Sequence, residues 1–143
     1  MKTKSKGTIR FILLLLSSLA ILLCGHLAIL HFTQQDLFGN MILEAYLVNF
    51  LLAAVGFILL LVLQKQLGGL LAYLFFGFSF LKILVFFLIF HPHYQLDGKI
   101  SKIEFFTFFI PYSIALVVEV YQLSKILKLQ DVDNANDSED TKD

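Results

Sequence analysis

The sequence has no tryptophan, one cysteine, two prolines and few charged residues. Charged side chains make up 15% of its 143 residues, whereas soluble domains usually carry about a quarter. The single cysteine, Cys24, excludes a disulfide within the chain. The shortage of charge excludes an ordinary soluble domain, because too few polar side chains remain to cover its surface.

Apolar residues are abundant and are concentrated in four long runs. Hydrophobic residues make up 58% of the chain, sixteen of them phenylalanine. The runs cover about 8–31, 41–63, 67–90 and 104–129, and each is long enough to cross a hydrocarbon core of about 30 Å as a helix. The sequence therefore predicts an all-α integral membrane protein, with a four-helix transmembrane domain over 1–130 and short loops. The acidic, polar segment 131–143 is predicted to be a disordered tail.

The first run also has features of a signal peptide, because basic residues precede it and residues 21–25 resemble a lipoprotein cleavage box around Cys24. Two observations favour a retained helix. Leu23 stands where the cleavage box needs a small residue, and the apolar run continues to Leu30.

The distribution of basic residues predicts the orientation. If the N-terminus is cytoplasmic, seven basic residues lie inside and two lie outside. The inner residues are Lys2, Lys4, Lys6, Arg10, Lys65, Lys125 and Lys128, and the outer ones are Lys99 and Lys102. This bias predicts a multi-pass membrane protein with both termini in the cytoplasm.

Several polar residues interrupt the runs at similar predicted depths in the outer half of the membrane. They are Lys82, Asn49, Glu44, His26, Tyr112 and Ser113. Lys82 lies eight residues before the predicted end of the third helix, or about 12 Å deep. We expect Lys82 to contact Asn49 and Glu44. Glu119 is expected about 10 Å nearer the cytoplasm, at the inner interface with Lys125 and unpaired with Lys82.

Helical periodicity supports an inward orientation for these polar groups. Polar and small residues recur at spacings of three and four along one face of each of the last three helices. The faces are Tyr46, Asn49, Ala53 and Gly56 in the second helix; Gly68, Ala72, Phe75, Ser79 and Lys82 in the third; and Tyr112, Ala115, Glu119 and Gln122 in the fourth. For Lys82, three roles stay open: snorkelling outward while helping to fasten the bundle, contacting a substrate or ion, or contacting an acidic group of a partner protein.

The loop before the fourth helix contains two weak metal-site patterns. Residues 97–105 match the second half of an EF-hand, but His93 and Gln95 occupy the positions of two oxygen ligands. His91 and His93 alternate like a metal-binding pair without a third firm ligand. The favoured prediction is structural: Ser101 caps the fourth helix, and Glu104 completes a capping box.

No catalytic triad, glycine-rich phosphate loop or basic nucleic-acid patch is present in the sequence. We therefore predict no catalytic, cofactor-binding or metal-binding residues, no enzymatic activity and no nucleic-acid partner. The expected partners are the lipid bilayer and a membrane protein complex or a second copy of the chain.

Segments of the last three helices resemble a known family. Residues 46–50, 79–82, 97–100, 104–105 and 108–112 resemble an uncharacterised family of small four-helix bacterial inner-membrane proteins. The size and the four-helix topology of the chain are similar to those of ATP synthase protein I. This resemblance implies a non-catalytic accessory or assembly protein of a membrane complex, with ATP synthase as the candidate. The alternative is a small transport or channel-like protein for a divalent cation, which an unneutralised Lys82 on an inward face disfavours.

Overall fold

The computed structural model describes residues 2–64, 66, 68–95, 98 and 101–140, and every regular element among them is helical. The four long helices are α1 (Lys2–Phe32), α2 (Ile42–Leu63), α3 (Leu71–Tyr94) and α4 (Lys102–Asp140). Four stretches are long and apolar enough to cross a membrane: Gly7–Phe32, Ile42–Leu63, Leu71–Tyr94 and Lys102–Lys128. The predicted four-helix class is therefore confirmed. Lys65, Asp97, Lys99 and residues 141–143, which were part of the predictions, lie outside the described residues.

The third helix extends further than the sequence predicts. A 3₁₀ turn, Gly68–Leu70, leads into it, and one π-helical turn at Phe86–Phe90 precedes its last turn, His91–Tyr94. Pro92 stands in that last turn and has no N–H to donate to the turn before it, so the backbone hydrogen bonding is interrupted where the π turn ends. The predicted loop at 91–99 is therefore wrong over its first four residues.

The fourth helix also differs from the prediction, because it continues through Asp140 instead of giving way to a disordered tail at 131. Residues 131–140 contain neither proline nor glycine, and extending an existing helix requires no new nucleation. Pro111 lies inside the same helix, fully buried, and helix continues on both sides of it.

The helices form an up-and-down bundle in which α2 contacts each of the other three, and α4 packs on α1 and α2. At one end, Phe11 of α1 stacks on Phe57 of α2 with ring centroids 3.8 Å apart. At the other end, the Tyr94 hydroxyl donates to the Asn40 carbonyl oxygen at 2.8 Å. We call the end with the connections 33–41 and 95–101 the loop end, and the opposite end the termini end.

Most of the core is apolar, and so is much of the outer surface. The largest buried cluster joins α1, α2 and α4, and an aromatic cluster fills the loop end between α2, α3 and α4. The aromatic cluster consists of Phe86, Phe90, Tyr94 and Phe108 around Ala45. Large apolar side chains also face outward along all four helices, including Leu13, Val62, Phe80 and Val117. Such a surface matches a bilayer in place of water.

Candidate functional site

Lys82 of α3 and Glu119 of α4 form an ion pair inside the bundle. The Lys82 ammonium donates a hydrogen bond to Glu119 Oε2. Only 1% of Lys82 and 5% of Glu119 is exposed. Two predictions are therefore wrong: Lys82 does not bind Asn49 and Glu44, and Glu119 does not lie unpaired at the inner interface.

The wrong partner was predicted for Lys82 because α3 is longer than the sequence predicts. With the helix ending at Tyr94, Lys82 lies about 18 Å from its loop end and about 16 Å from Leu71 at the termini end. Glu119 lies about 14 Å from Lys128, at nearly the same level. Four additional residues move Lys82 by about 6 Å toward Glu119, and its flexible four-carbon stem spans the remaining gap.

The pair lies at mid-membrane depth, where burying an isolated ion has a high free-energy cost. Insertion scales put that cost at about 2.5–3.5 kcal/mol for one charged side chain at the helix centre. Each of the two residues neutralises the other, so the bundle interior carries no net charge at this level. Their contact also joins α3 to α4 directly.

Gly56 provides the space in which the carboxylate lies against α2. A Cβ atom built on Gly56 would be 3.8 Å from Glu119 Oε1 and 3.6 Å from Phe78 Cγ. Both distances are ordinary van der Waals contacts, so a larger side chain would collide with one of these groups. The small residue that periodicity placed on the inward face of α2 thus allows three helices to meet at the ion pair.

Asn49 makes a separate contact between α2 and α4. It is fully buried, and its Nδ2 donates to the Ala45 carbonyl oxygen at 2.9 Å and to the Phe108 carbonyl oxygen at 3.5 Å. Pro111 has no N–H to donate to the carbonyl oxygen of Thr107, four residues earlier, so the helical hydrogen bonding is interrupted next to the carbonyl that Asn49 contacts. Asn49 Oδ1 has no partner among the described residues.

His26 joins α1 to α2 through Tyr46. His26 Nδ1 lies 3.2 Å from the Tyr46 hydroxyl, and only 8% of His26 is exposed. Periodicity placed Tyr46 on the inward face of α2 but did not identify it as the partner of His26. The contact holds the loop-end halves of the two helices together.

The remaining predicted residues do not join these contacts. Glu44 is exposed on α2. Tyr112 is half-buried and stacks on Phe108, and the exposed Ser113 hydroxyl donates to the Phe109 carbonyl oxygen of its own helix at 2.8 Å. The predicted single polar layer is therefore wrong. Among the residues that the structure describes, three polar contacts instead join different pairs of helices.

The start of α4 has the reciprocal hydrogen bonds of a capping box, as the sequence predicts. The Ser101 backbone N–H donates to Glu104 Oε2 at 2.6 Å, and the Glu104 backbone N–H donates to Ser101 Oγ at 3.2 Å. Glu104 thus has a structural role at the helix terminus. Among the residues whose positions are described, no three histidine, cysteine or acidic side chains come together as a metal site would require.

Comparisons of the chain with protein families, curated proteins and solved structures give no match. The resemblance to small inner-membrane proteins therefore stays a prediction. The geometry itself indicates a bundle whose buried charged groups are neutralised by one another and whose small-residue positions permit close helix contacts.

Proposed function

We propose that this chain is a non-catalytic accessory or assembly protein of a membrane complex, with ATP synthase as the candidate complex. We further propose that both termini lie in the cytoplasm, on the basis of its basic residues. The resemblance of its last three helices to small inner-membrane proteins supports a location in the bacterial inner membrane. The observation that carries the functional proposal is the Lys82–Glu119 pair. These two are the buried ionic side chains of the described spans, and each is bound to the other, where the pair holds two helices together. Neither is therefore free to act on a substrate.

The outer helix faces support contacts with other membrane helices. Gly77 of α3 lies in a groove of about 490 Å³ whose walls include Tyr73, Leu74, Phe78 and Leu81. A Cβ built on Gly77 would meet no atom within 4 Å, so the groove is open to a neighbouring helix. Small residues on such faces let helix backbones approach closely in lipid, where apolar burial alone provides little driving force.

The alternative proposal, transport of a divalent cation, has a specific obstacle. Glu119 is the only carboxylate that the described part of the chain buries within a span, and Lys82 already neutralises it. A cation would have to displace the ammonium group from Glu119 and leave Lys82 unpaired at mid-membrane, where that charge is costly. The obstacle is thus a competing bound cation and not the unneutralised lysine that the sequence suggested.

Two experiments on the intact chain separate these functions. In the first, blue-native electrophoresis compares assembled ATP synthase in cells with and without the gene, and a tagged chain tests co-purification with the rotor ring. Gly77→Leu should weaken co-purification, whereas Val117→Leu on the exposed face of α4 should not. In the second, the purified chain in liposomes is tested for Mg²⁺ and Ca²⁺ flux. Unchanged complex assembly together with cation flux would reject the accessory function and support transport.

A further inference from the structure

A cleft opens between α1 and α4 at the loop end of the bundle. Its volume is about 540 Å³, and its walls are almost entirely apolar. They are formed by Ile21, Leu22, Ile29, Ile103, Phe106 and Ile110. Thr33 and Gln35 stand at its mouth, and His26 is the polar side chain further in. The cleft thus combines a polar entrance, an apolar wall and one imidazole between them.

The depth of His26 places it near a membrane boundary. The span Gly7–Phe32 contains 26 residues and is about 39 Å long, which exceeds a hydrocarbon core of about 30 Å by about 9 Å. If this excess is shared between the two ends, the hydrocarbon begins about 4–5 Å below Phe32. His26 lies about 9 Å below Phe32 and is therefore just inside the hydrocarbon, close to the level of lipid ester groups. Ile21 lies about 7 Å deeper, where only acyl chains are present.

His26 lines this cleft and has one ring nitrogen available for a hydrogen bond there. Nδ1 faces the Tyr46 hydroxyl, and nothing in the described part of the chain hydrogen-bonds to Nε2. If the phenol donates to Nδ1, one unpaired donor remains, Nε2–H. If Nδ1–H donates instead, the phenol proton and the Nε2 lone pair both lack partners. The first arrangement leaves fewer groups unsatisfied and presents an N–H donor that requires an acceptor.

We propose that this cleft binds a glycerophospholipid, with one acyl chain along the apolar walls and an ester carbonyl oxygen accepting a hydrogen bond from His26 Nε2. The polar head group would lie beside Thr33 and Gln35 at the mouth. Exposed Lys102, at the start of α4, lies at the same end of the bundle and can attract the phosphate. Tyr46 acts as a positioning residue, because its hydroxyl fixes the orientation and the tautomer of the imidazole.

The lack of tryptophan makes a direct binding assay possible. Phe106→Trp places a single fluorophore in the cleft wall, and brominated phospholipids quench tryptophan on contact. Leu88→Trp is the control, because Leu88 on α3 is 67% exposed and lies outside the cleft. The probes are brominated phosphatidylglycerol with ester-linked chains and its ether-linked analogue, which lacks the carbonyl oxygens. Both are titrated into vesicles that contain the reconstituted protein.

We expect the Phe106→Trp protein to prefer the ester lipid by roughly 2- to 10-fold, the range for one hydrogen bond. The Leu88→Trp protein should show no preference. Adding His26→Phe to Phe106→Trp should make the two lipids equivalent, and adding Tyr46→Phe should reduce the preference without abolishing it. Gel filtration and melting in detergent establish that these variants are folded.

Equal quenching by the ester and ether lipids in the Phe106→Trp protein with His26 intact would overturn the proposal, and this comparison does not depend on the folding of a His26 variant. Displacement of the ester lipid by a stoichiometric isoprenoid quinone would also overturn it, since the site would then select a redox lipid. The assay is independent of the proposed accessory function, because it uses only the chain and lipid.

Discussion

Lys82 and Glu119 are 37 residues apart in sequence, yet they meet at one level of the bundle as a buried ion pair between adjacent helices. Neither charged group is in contact with solvent, since both side chains are more than nine-tenths buried. Removing either partner would leave the other ion to find water or a lipid headgroup from mid-membrane. The pair therefore makes the packing of α3 against α4 conditional on both residues.

This dependence predicts strong non-additivity. Lys82→Met and Glu119→Gln should each lower the free energy of unfolding by about 2–4 kcal/mol, because each leaves a buried group without its partner. The double variant should lose much less than the sum, since no ion remains inside. Steric-trap unfolding in bicelles measures all four proteins, with exposed Glu44→Gln as the control expected near zero. A coupling energy of zero would show that the two charges do not interact.

The apolar runs predicted the four spans, and helical periodicity predicted the inward faces of α2 and α4. On α3 it was less accurate, because Phe75 and Lys82 are buried but Ala72 is exposed. Tyr46, Asn49, Ala53 and Gly56 are all buried on α2, and Ala115, Glu119 and Gln122 are buried on α4. Position along the membrane normal was harder to predict, because it depends on where each helix ends. The π turn at Phe86–Phe90 and the helical turn containing Pro92 have no clear signal in the sequence. Because the predicted helix was one turn too short, the prediction did not pair Lys82 with Glu119.

Asn49 should behave independently of the ion pair. Its side chain reaches the Phe108 carbonyl oxygen and has an unpartnered oxygen, so Asn49→Leu removes one interhelical contact and one unsatisfied acceptor together. These effects oppose each other, and we expect a change below about 1.7 kcal/mol in unfolding free energy. Combined with Lys82→Met, the two changes should add. Measured coupling above about 0.5 kcal/mol would instead connect Asn49 to Lys82.

The capping box at the start of α4 predicts a local effect. Ser101→Ala removes the acceptor for the Glu104 backbone N–H and should destabilise the chain by about 1 kcal/mol. Glu104→Gln should have a smaller effect, because glutamine can still accept from the Ser101 N–H. Melting in detergent with calcium or with a chelator provides the second measurement. A shift of several degrees with micromolar calcium would mean that Glu104 belongs to a metal site.

Reporter fusions test the orientation predicted from the basic residues. A fusion after Leu129 should be active only with a reporter that works in the cytoplasm, and a fusion at Gln35 only with a reporter that requires export. The two positions lie at opposite ends of the bundle, because Gln35 belongs to the loop end. Exchanging Lys102 for glutamine, on the predicted outer side, should leave both results unchanged. The reverse pattern at both sites would show that the protein has the opposite orientation in the membrane.

Gly56 tests whether the space around the carboxylate is specific. An alanine Cβ would make ordinary contacts with Phe78 and Glu119, so Gly56→Ala should be neutral or slightly stabilising, since alanine is the better helix former. Gly56→Leu would overfill the site and should cost about 1–3 kcal/mol of unfolding free energy.

Gly77→Leu is the matched control for this change, because a Cβ at Gly77 meets nothing within 4 Å and the stability of the isolated chain should not fall. The leucine at position 56 should also displace the carboxylate from Lys82. Gly56→Leu should therefore be less damaging in the Lys82→Met, Glu119→Gln background than alone. Equal costs in both backgrounds would mean that α2 does not confine the ion pair, and that Gly56 affects only the packing of Phe78.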